Sequence, residues 1–308
     1  MSNRLIPLIL TVDLEDWFHV ENLRHVFPPH SWQQCELRVR RSTSVLLDLF
    51  EQHGAHATFF VLGWVAERCP ELIREIQRRG HEIASHGYGH SLCFDLSRSQ
   101  LKDDVYRSKA LLEDITGAAV RGYRAPNFSI TDALVDLLAE IGFEYDSSYN
   151  SLSLDSRHGK LDRGWSVSQE GQLVHANGTV ELPVSNLTLG RLVLPWGGGG
   201  YFRFWPSSMF HLGVKRILRQ TGRYAFYFHP WELDATQPRV DGISRLKRFR
   251  HYLNLEQTVK RMNGFLTEFH DNGFISCEDH FTQNRMSGPA VPAQPSSSAK
   301  AERGVDLR

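Results

Sequence analysis

Cysteine, net charge and long apolar runs are what this 308-residue chain has least of. Its four cysteines, Cys35, Cys69, Cys93 and Cys277, lie far apart and form no Cys-x-x-Cys pair. That spacing does not suggest a zinc–thiolate centre or a disulfide framework, and it suits a reduced compartment. Basic and acidic residues balance at 35 each, so the overall charge gives no reason to expect nucleic acid as a partner. The one early apolar stretch, Leu5 to Leu10 after Arg4, passes straight into Thr11-Val12-Asp13-Leu14-Glu15-Asp16 with no small-residue cleavage site. It is too short to span a bilayer and reads as a buried strand, not a signal peptide, so the expected location is the cytoplasm. No internal repeat is visible.

What the chain does have is alternation. Ile6 to Val12, Ala57 to Leu62, Glu82 to Ser85 and Tyr224 to Phe228 are short apolar runs of the kind that form strands buried on both faces. Between them, Ser42 to His53, Pro70 to Arg79, Ser99 to Thr116 and Asp132 to Ile141 carry apolar residues at helical spacing, and each is closed by a glycine. Further helices are expected near Ser208 to Gln220 and Leu255 to Asn272. Strand–helix alternation with short connections implies parallel strands with crossover helices, in an open sheet or a barrel. It lapses between about 150 and 205, where glycines and hairpin-like strands imply an irregular β-rich insertion. Residues 1–285 are expected to form one domain. Residues 286–308, Ser/Pro/Ala-rich with almost no large apolar side chains, are expected to be a disordered tail.

The chemistry-bearing residues stand at strand ends, where parallel α/β folds gather their sites. One end carries Asp13-Leu14-Glu15-Asp16, another His86-Gly87-Tyr88-Gly89-His90, and a third His229. Two imidazoles four residues apart plus a carboxylate make a set that holds a divalent metal and leaves positions open for water and substrate. A second carboxylate can take a proton from water, and a separate histidine can protonate a departing amine. Six of the other histidines, His25, His30, His53, His158, His175 and His251, lack partners at ligand spacing and read as ordinary.

Together, Thr11-Val12-Asp13, His86-Gly87-Tyr88-Gly89-His90, Arg124-Ala125-Pro126 and Phe226-Tyr227-Phe228-His229 occur in the order and spacing of the polysaccharide deacetylases. This is carbohydrate esterase family 4, the NodB-homology superfamily, and the resemblance covers residues 5 to 280. More narrowly, Val12 to His19, Gly122 to Ile130, Gly198 to Arg203 and His229-Pro230-Trp231-Glu232 resemble the subgroup found with exosortase-linked exopolysaccharide loci. The resemblance implies an α/β fold, a distorted (β/α) barrel with fewer than eight regular units. It implies a hydrolase that removes N-acetyl groups from a bacterial exopolysaccharide or its lipid-linked precursor, using a divalent metal, with zinc the family-level expectation. Asp13 matches the general base, Arg124 the arginine that positions it, His86 and His90 the metal-binding histidines, and His229 the acid. The backbone N–H of Asn127, after Pro126, matches the oxyanion donor.

The chain departs from the family pattern in three places. The usual adjacent Asp-Asp is replaced, so the carboxylate ligand is Asp16, ranked first because it lies just past the strand, or Glu15, which shares a face with Asp13 on an extended chain. Asn127 stands where an aromatic residue is common. The acid histidine could be oriented by Asp146, Glu232 or Asp234. Trp196-Gly197-Gly198-Gly199-Gly200-Tyr201 lacks a following Lys-Ser/Thr and is read as a flexible loop bordering the cleft, leading into no helix. Trp17, Trp196, Tyr201, Trp205 and Trp231 are read either as sugar-stacking platforms or as core. The basic run Arg245 to Arg250 is read as a solvated helix face, with peripheral membrane association or contact with a lipid pyrophosphate as the alternative. A metal amidase acting on a non-sugar amide and a non-catalytic sugar-binding protein are the rival readings.

Overall fold

The computed structural model describes residues 5–152, 159, 164–167 and 173–287. The tail expected from residue 286 lies outside them from 288 onward.

Strand β1 (Leu8–Leu14) is buried along its whole length and forms the centre of the molecule. On its two edges it pairs in parallel with β2 (Thr58–Val61) and with β11 (Ala225–Phe228), while β12 (Phe274–Ile275) joins at its start. From β2 the sheet continues in parallel through β3 (Glu82–Ser85), β4 (Gly122–Tyr123), β5 (Tyr145–Asp146) and β8 (Val180–Glu181). It ends in an antiparallel extension, β7 (Leu173–His175) and β6 (Trp165–Val167). A separate hairpin pairs β9 (Asn186–Leu189) with β10 (Leu192–Pro195).

The sheet curls until its ends nearly meet. Past β8, the Ser185 N–H donates to the Ala225 carbonyl at 3.2 Å, and the Tyr227 N–H donates to the Gly197 carbonyl at 2.7 Å. Irregular chain closes the ring where a further strand pair would stand, giving a distorted (β/α) barrel.

Helices clothe the outside: α1 (Val39–Gln52), α2 (Gly63–Arg68), α3 (Pro70–Arg78), α4 (Arg98–Thr116) and α5 (Asp132–Ile141) in the first half. The second half adds α6 (Gly199–Phe204), α7 (Ser207–Thr221), α8 (Arg245–Tyr252), α9 (Thr258–Glu268) and α10 (Cys277–Ser287). The main helices end where the glycines predict: Gly117, Gly142 and Gly222 each adopt the left-handed conformation that caps α4, α5 and α7. One expected helix is broken, since Leu255 to Asn272 resolves into α9 flanked by two 3-10 turns. Short α2 and α6 lie within stretches not read as helical.

Alternation along β1 sets its chemistry. Leu8, Leu10, Val12 and Leu14 face the helix layer and join the main core, each buried side chain of this size contributing roughly 1.5–3 kcal/mol. Ile9 faces the barrel interior with Phe60, Ala84, Tyr145 and Ala225, where Cys277 and Phe281 of α10 plug one end. Thr11 and Asp13 continue that inward face toward the other end. All four cysteines are free.

Candidate active site

Register brings the strand-end residues together. Val12 lies opposite Phe228, and Ser85 lies opposite both Val61 and Tyr123. The residues that follow, Asp13, His86, Arg124 and His229, therefore emerge at one end of the sheet. They open into a cavity of about 430 Å3 whose wall includes Asp13, Glu15, His86, His90, Asn127 and His229.

The chain turns sharply after β1, with the Glu15 N–H bonding the Asp13 carbonyl at 2.9 Å, so both side chains reach the cavity. Glu15 Oε1 lies 3.0 Å from His86 Nε2 and 2.8 Å from His90 Nε2, and all three side chains are buried. His86 Nδ1 is 2.8 Å from the Arg124 carbonyl, which only an N–H can satisfy. A neutral ring would then turn its Nε2 lone pair toward a carboxylate oxygen, whereas a protonated one would donate to it. Donors converging lone pair to lone pair in a buried space ask for a cation between them, and donor atoms of these residues lie within 4.8 Å of one another. Burial works against the charge of Glu15, yet His90 and His86 hold its carboxyl well below the ordinary range. Glu15, His86 and His90 thus fit a divalent metal.

Asp16, ranked first as the carboxylate ligand, is elsewhere. Its Oδ1 accepts from the Trp17 N–H, and its Oδ2 accepts from the N–H groups of Arg38 and Val39 at the start of α1. His19 Nδ1 accepts in return from the Asp16 N–H. Burial raises the Asp16 carboxyl to about 6 despite those backbone donors. The reason for the difference is that Asp16 opens a tight capping box, which turns its side chain away from the imidazoles.

Asp13 is gripped by Arg124, whose NH1 donates to Oδ1 at 2.6 Å and to Thr11 Oγ1 at 2.8 Å. The guanidinium is fully buried, anchored by Nε to the Ser147 carbonyl and NH2 to Ser147 Oγ, and it lies 4.1 Å from the Phe60 ring centre. The other Asp13 oxygen faces His229 Nε2 at 3.8 Å. His229 Nδ1 is 2.9 Å from Glu232 Oε1, while Arg203 Nε donates to Glu232 Oε2 at 2.7 Å. Burial opposes the His229 charge, but the Glu232 hydrogen bond and the charges of Glu15 and Asp13 push its pKa up to about 9. Burial likewise opposes the charge of Glu232, which Arg203 and His229 nonetheless hold below the ordinary carboxylate range.

Of the three acids weighed as the partner of His229, Glu232 touches it. Asp146 accepts from Ser148 beside Glu181, and Asp234 pairs with Arg38. Pro126 opens a buried turn in which Asn127 sits at φ 52° and Phe128 at φ 59°, a left-handed pair uncommon for residues with a Cβ. The Asn127 Nδ2 is buried without a hydrogen-bond partner on a cavity-lining residue.

Among the aromatics, Tyr201 and Trp231 line the cavity, with Trp231 stacked between His229 and His251. Trp17 and Trp196 are core residues, and Trp205 packs against that core. His251, set aside as ordinary, lines the cavity too; its Nε2 meets Gln237 Oε1 at 2.8 Å, and burial lowers its pKa to about 4. The glycine run is not a loop that leads nowhere. It starts α6, and a Cβ at Gly199 would stand 2.1 Å from Glu232 Oε1. Arg203 was quoted only within a motif, because nothing local in the sequence links it to Glu232.

Comparison with known proteins places residues 34–145 in a family described as polysaccharide deacetylase and residues 148–281 in a domain of unknown function, DUF3473. A peptidoglycan deacetylase from Helicobacter pylori is 32% identical over 39% of this chain and 41% of its own length. A peptidoglycan-N-acetylglucosamine deacetylase from Bacillus cereus is 31% identical over 33% and 47%, and a chitooligosaccharide deacetylase from Azorhizobium caulinodans is 29% identical over 32% and 48%. The chain thus spans less than half the length of these curated relatives. Among solved structures, a Mycobacterium smegmatis protein assigned to the polysaccharide deacetylases superposes with a TM-score of 0.59 over 96% of both chains at 20% identity, a likeness of fold.

Proposed function

This chain carries a polysaccharide deacetylase domain of the NodB type, and from that premise we propose that it hydrolyses the N-acetyl amide of hexosamine residues. The substrate in this reading is a bacterial exopolysaccharide or its lipid-linked precursor, and the products are a free amine and acetate. The observation that carries the reading is the meeting, in one cavity, of the Glu15–His86–His90 cluster with Asp13 on one side and His229 on the other.

Glu15, His86 and His90 would hold a divalent cation, with zinc the family-level expectation and cobalt or nickel able to fill such a site, and it would supply Lewis-acid polarisation and a lowered pKa for water. The chain's own groups do the rest. Asp13, aimed by Arg124, accepts a proton from the water that adds to the acetyl carbonyl. The Asn127 N–H donates to the carbonyl oxygen as it gains charge; such donors are worth roughly 3 kcal/mol elsewhere. His229 Nε2 gives its proton to the amide nitrogen as the C–N bond breaks, and Nδ1 stays on Glu232. Tyr201 and Trp231 offer flat apolar faces to a sugar ring.

The test is acetate release from chitooligosaccharides and a poly-N-acetylhexosamine, set beside small cyclic amides, with metal analysis. Acetate from the glycans with no ring opening of the cyclic amides is expected, and ring opening without acetate release from any glycan would overturn the sugar assignment. Asp13→Asn should lower turnover by about a hundredfold or more with metal content near that of the unaltered protein; undiminished turnover would remove Asp13 as base.

A further inference from the structure

The segment matching the domain of unknown function brings to the cavity a chain of side chains of which the reaction above uses only the last. Arg203, 2% exposed, is held by main chain: NH1 donates to the carbonyls of His251 at 3.1 Å and Leu253 at 2.6 Å. Nε donates to Glu232 Oε2 at 2.7 Å. Glu232, 1% exposed, uses its other oxygen to accept from both the backbone N–H of His229 at 3.2 Å and the ring Nδ1 at 2.9 Å. One carboxylate oxygen thus serves the arginine and the other serves the histidine.

A carboxylate this deep, left alone, would take up a proton rather than stay charged. A protonated carboxyl can donate to the ring as readily as accept from it, so the imidazole would lose its fixed tautomer. With the guanidinium in place, Glu232 remains an acceptor, the Nδ1 proton stays on it, and Nε2 is the nitrogen turned toward Asp13. The remaining groups facing His229 are Asp13 of β1 and Glu15 just past it, Tyr227 of the preceding β11, Trp231 stacked on the ring, and His251 beyond Trp231. Among the described residues, Glu232 alone is within hydrogen-bond distance of Nδ1. The close approach depends on Gly199, where a Cβ would fall on the Glu232 carboxylate.

The geometry points to Arg203 as a positioning residue: through Glu232 it fixes the tautomer and aim of His229, and residues 148–281 are the acid-delivering half of a site whose other half lies in residues 13–127. The inference rests on the deacetylase reading for its kinetic consequences but not for its spectroscopic one.

The experiment compares Arg203→Met, Arg203→Lys, Glu232→Gln and the Arg203→Met/Glu232→Gln pair, each checked for folding by its thermal transition. The double variant carries no buried unpaired charge and keeps the relay falsifiable where a single variant fails to fold. In the folded variants kcat for acetate release should fall about 10- to 100-fold with KM within about twofold. Arg203→Lys should recover part of the loss, and the double variant should be no slower than the worse single one. In parallel, nitrogen NMR of the His229 ring, recorded above the pKa of about 9 where the ring is neutral, should show the proton on Nδ1 in the unaltered protein and lose that signature in Glu232→Gln and Arg203→Met. A folded Arg203→Met with full kcat, a change confined to KM, or losses that multiply in the double variant would overturn the relay. If the unaltered protein releases no acetate from any glycan, the functional reading fails by itself, and the ring signature still decides whether Arg203 sets the His229 tautomer.

Discussion

Glu15 and Asp16 are chain neighbours with opposite employment. Glu15 faces two imidazoles, while Asp16 satisfies three backbone N–H groups that would otherwise be buried and unpaired. Glu15→Gln should therefore leave the dialysed protein with about a tenth or less of its metal by mass spectrometry. Asp16→Asn should keep its metal and lose roughly 1–2 kcal/mol in urea unfolding. Full metal in Glu15→Gln would sink the donor set. His229 gives a pH expectation with a definite sign. As the proposed acid it must hold its proton at turnover, so kcat should hold at lower pH and fall as pH rises through the His229 pKa, raised to about 9 in the metal-free protein. A cation on Glu15 offsets that carboxylate's share, so the alkaline limb of the loaded enzyme lies lower, and Glu232→Gln should lower it further. The same shift stabilises the fold: the contribution is full below the ordinary histidine value of 6.5 and is lost as pH rises through about 9. A rate profile without an alkaline limb, or one that Glu232→Gln leaves in place, would count against the assignment.

At the scale of elements, legibility followed locality. β1, β2, β3 and the helices α1, α3, α4, α5 and α7 were readable because their apolar periodicity and closing glycines are local signals. α6 was not, since a run of four glycines argues against a helix on propensity alone. Its glycines answer to neighbours far along the chain: a Cβ at Gly197 would stand 2.6 Å from the Ser185 carbonyl, one at Gly198 2.4 Å from the Tyr227 hydroxyl, and one at Gly199 2.1 Å from Glu232. Gly199→Ala should displace the Glu232 carboxylate, cost about 1–3 kcal/mol in urea unfolding and slow acetate release. An alanine variant with unchanged stability and rate would show that α6 tolerates the methyl group and that the contact matters little. The basic run, by contrast, is a helix as expected, and what its sequence left open is whether anything covers it. In α8, Leu246 is 67% and Phe249 55% exposed among Arg245, Lys247, Arg248 and Arg250, and Arg250 also lines the cavity.

For the whole molecule, that placement bears on the proposal of a lipid-linked substrate. An anionic bilayer would engage both the cations and the two apolar side chains of α8, whereas a polyanionic glycan would engage the cations alone. The full chain should sediment with phosphatidylcholine vesicles containing about 30% phosphatidylglycerol, and each cation removed should weaken binding about fivefold. Leu246→Gln/Phe249→Gln should weaken it as well; no sedimentation, or no effect of that pair, would argue against a membrane-facing mouth. No helix among the described residues is long and apolar enough to cross a membrane. The two matched segments are likewise not separable in space. Asp13 and Glu15 precede both, His86, His90, Arg124 and Asn127 come from the first, and Tyr201, Arg203, His229 and Glu232 come from the second. β1 holds them together by pairing with β2 on one edge and β11 on the other.

From the sequence alone came the order of buried strands, the helices between them, and the strand-end residues Asp13, His86, His90, Arg124 and His229, because burial and periodicity are written locally. Only the tertiary structure decided that Glu15 rather than Asp16 meets the imidazoles and that Glu232, backed by Arg203, holds His229. Those choices turn on partners more than twenty residues away, Arg38 and Val39 for Asp16 and Arg203 for Glu232. A side chain's neighbours at that distance are set by how the sheet curls, which no local pattern records.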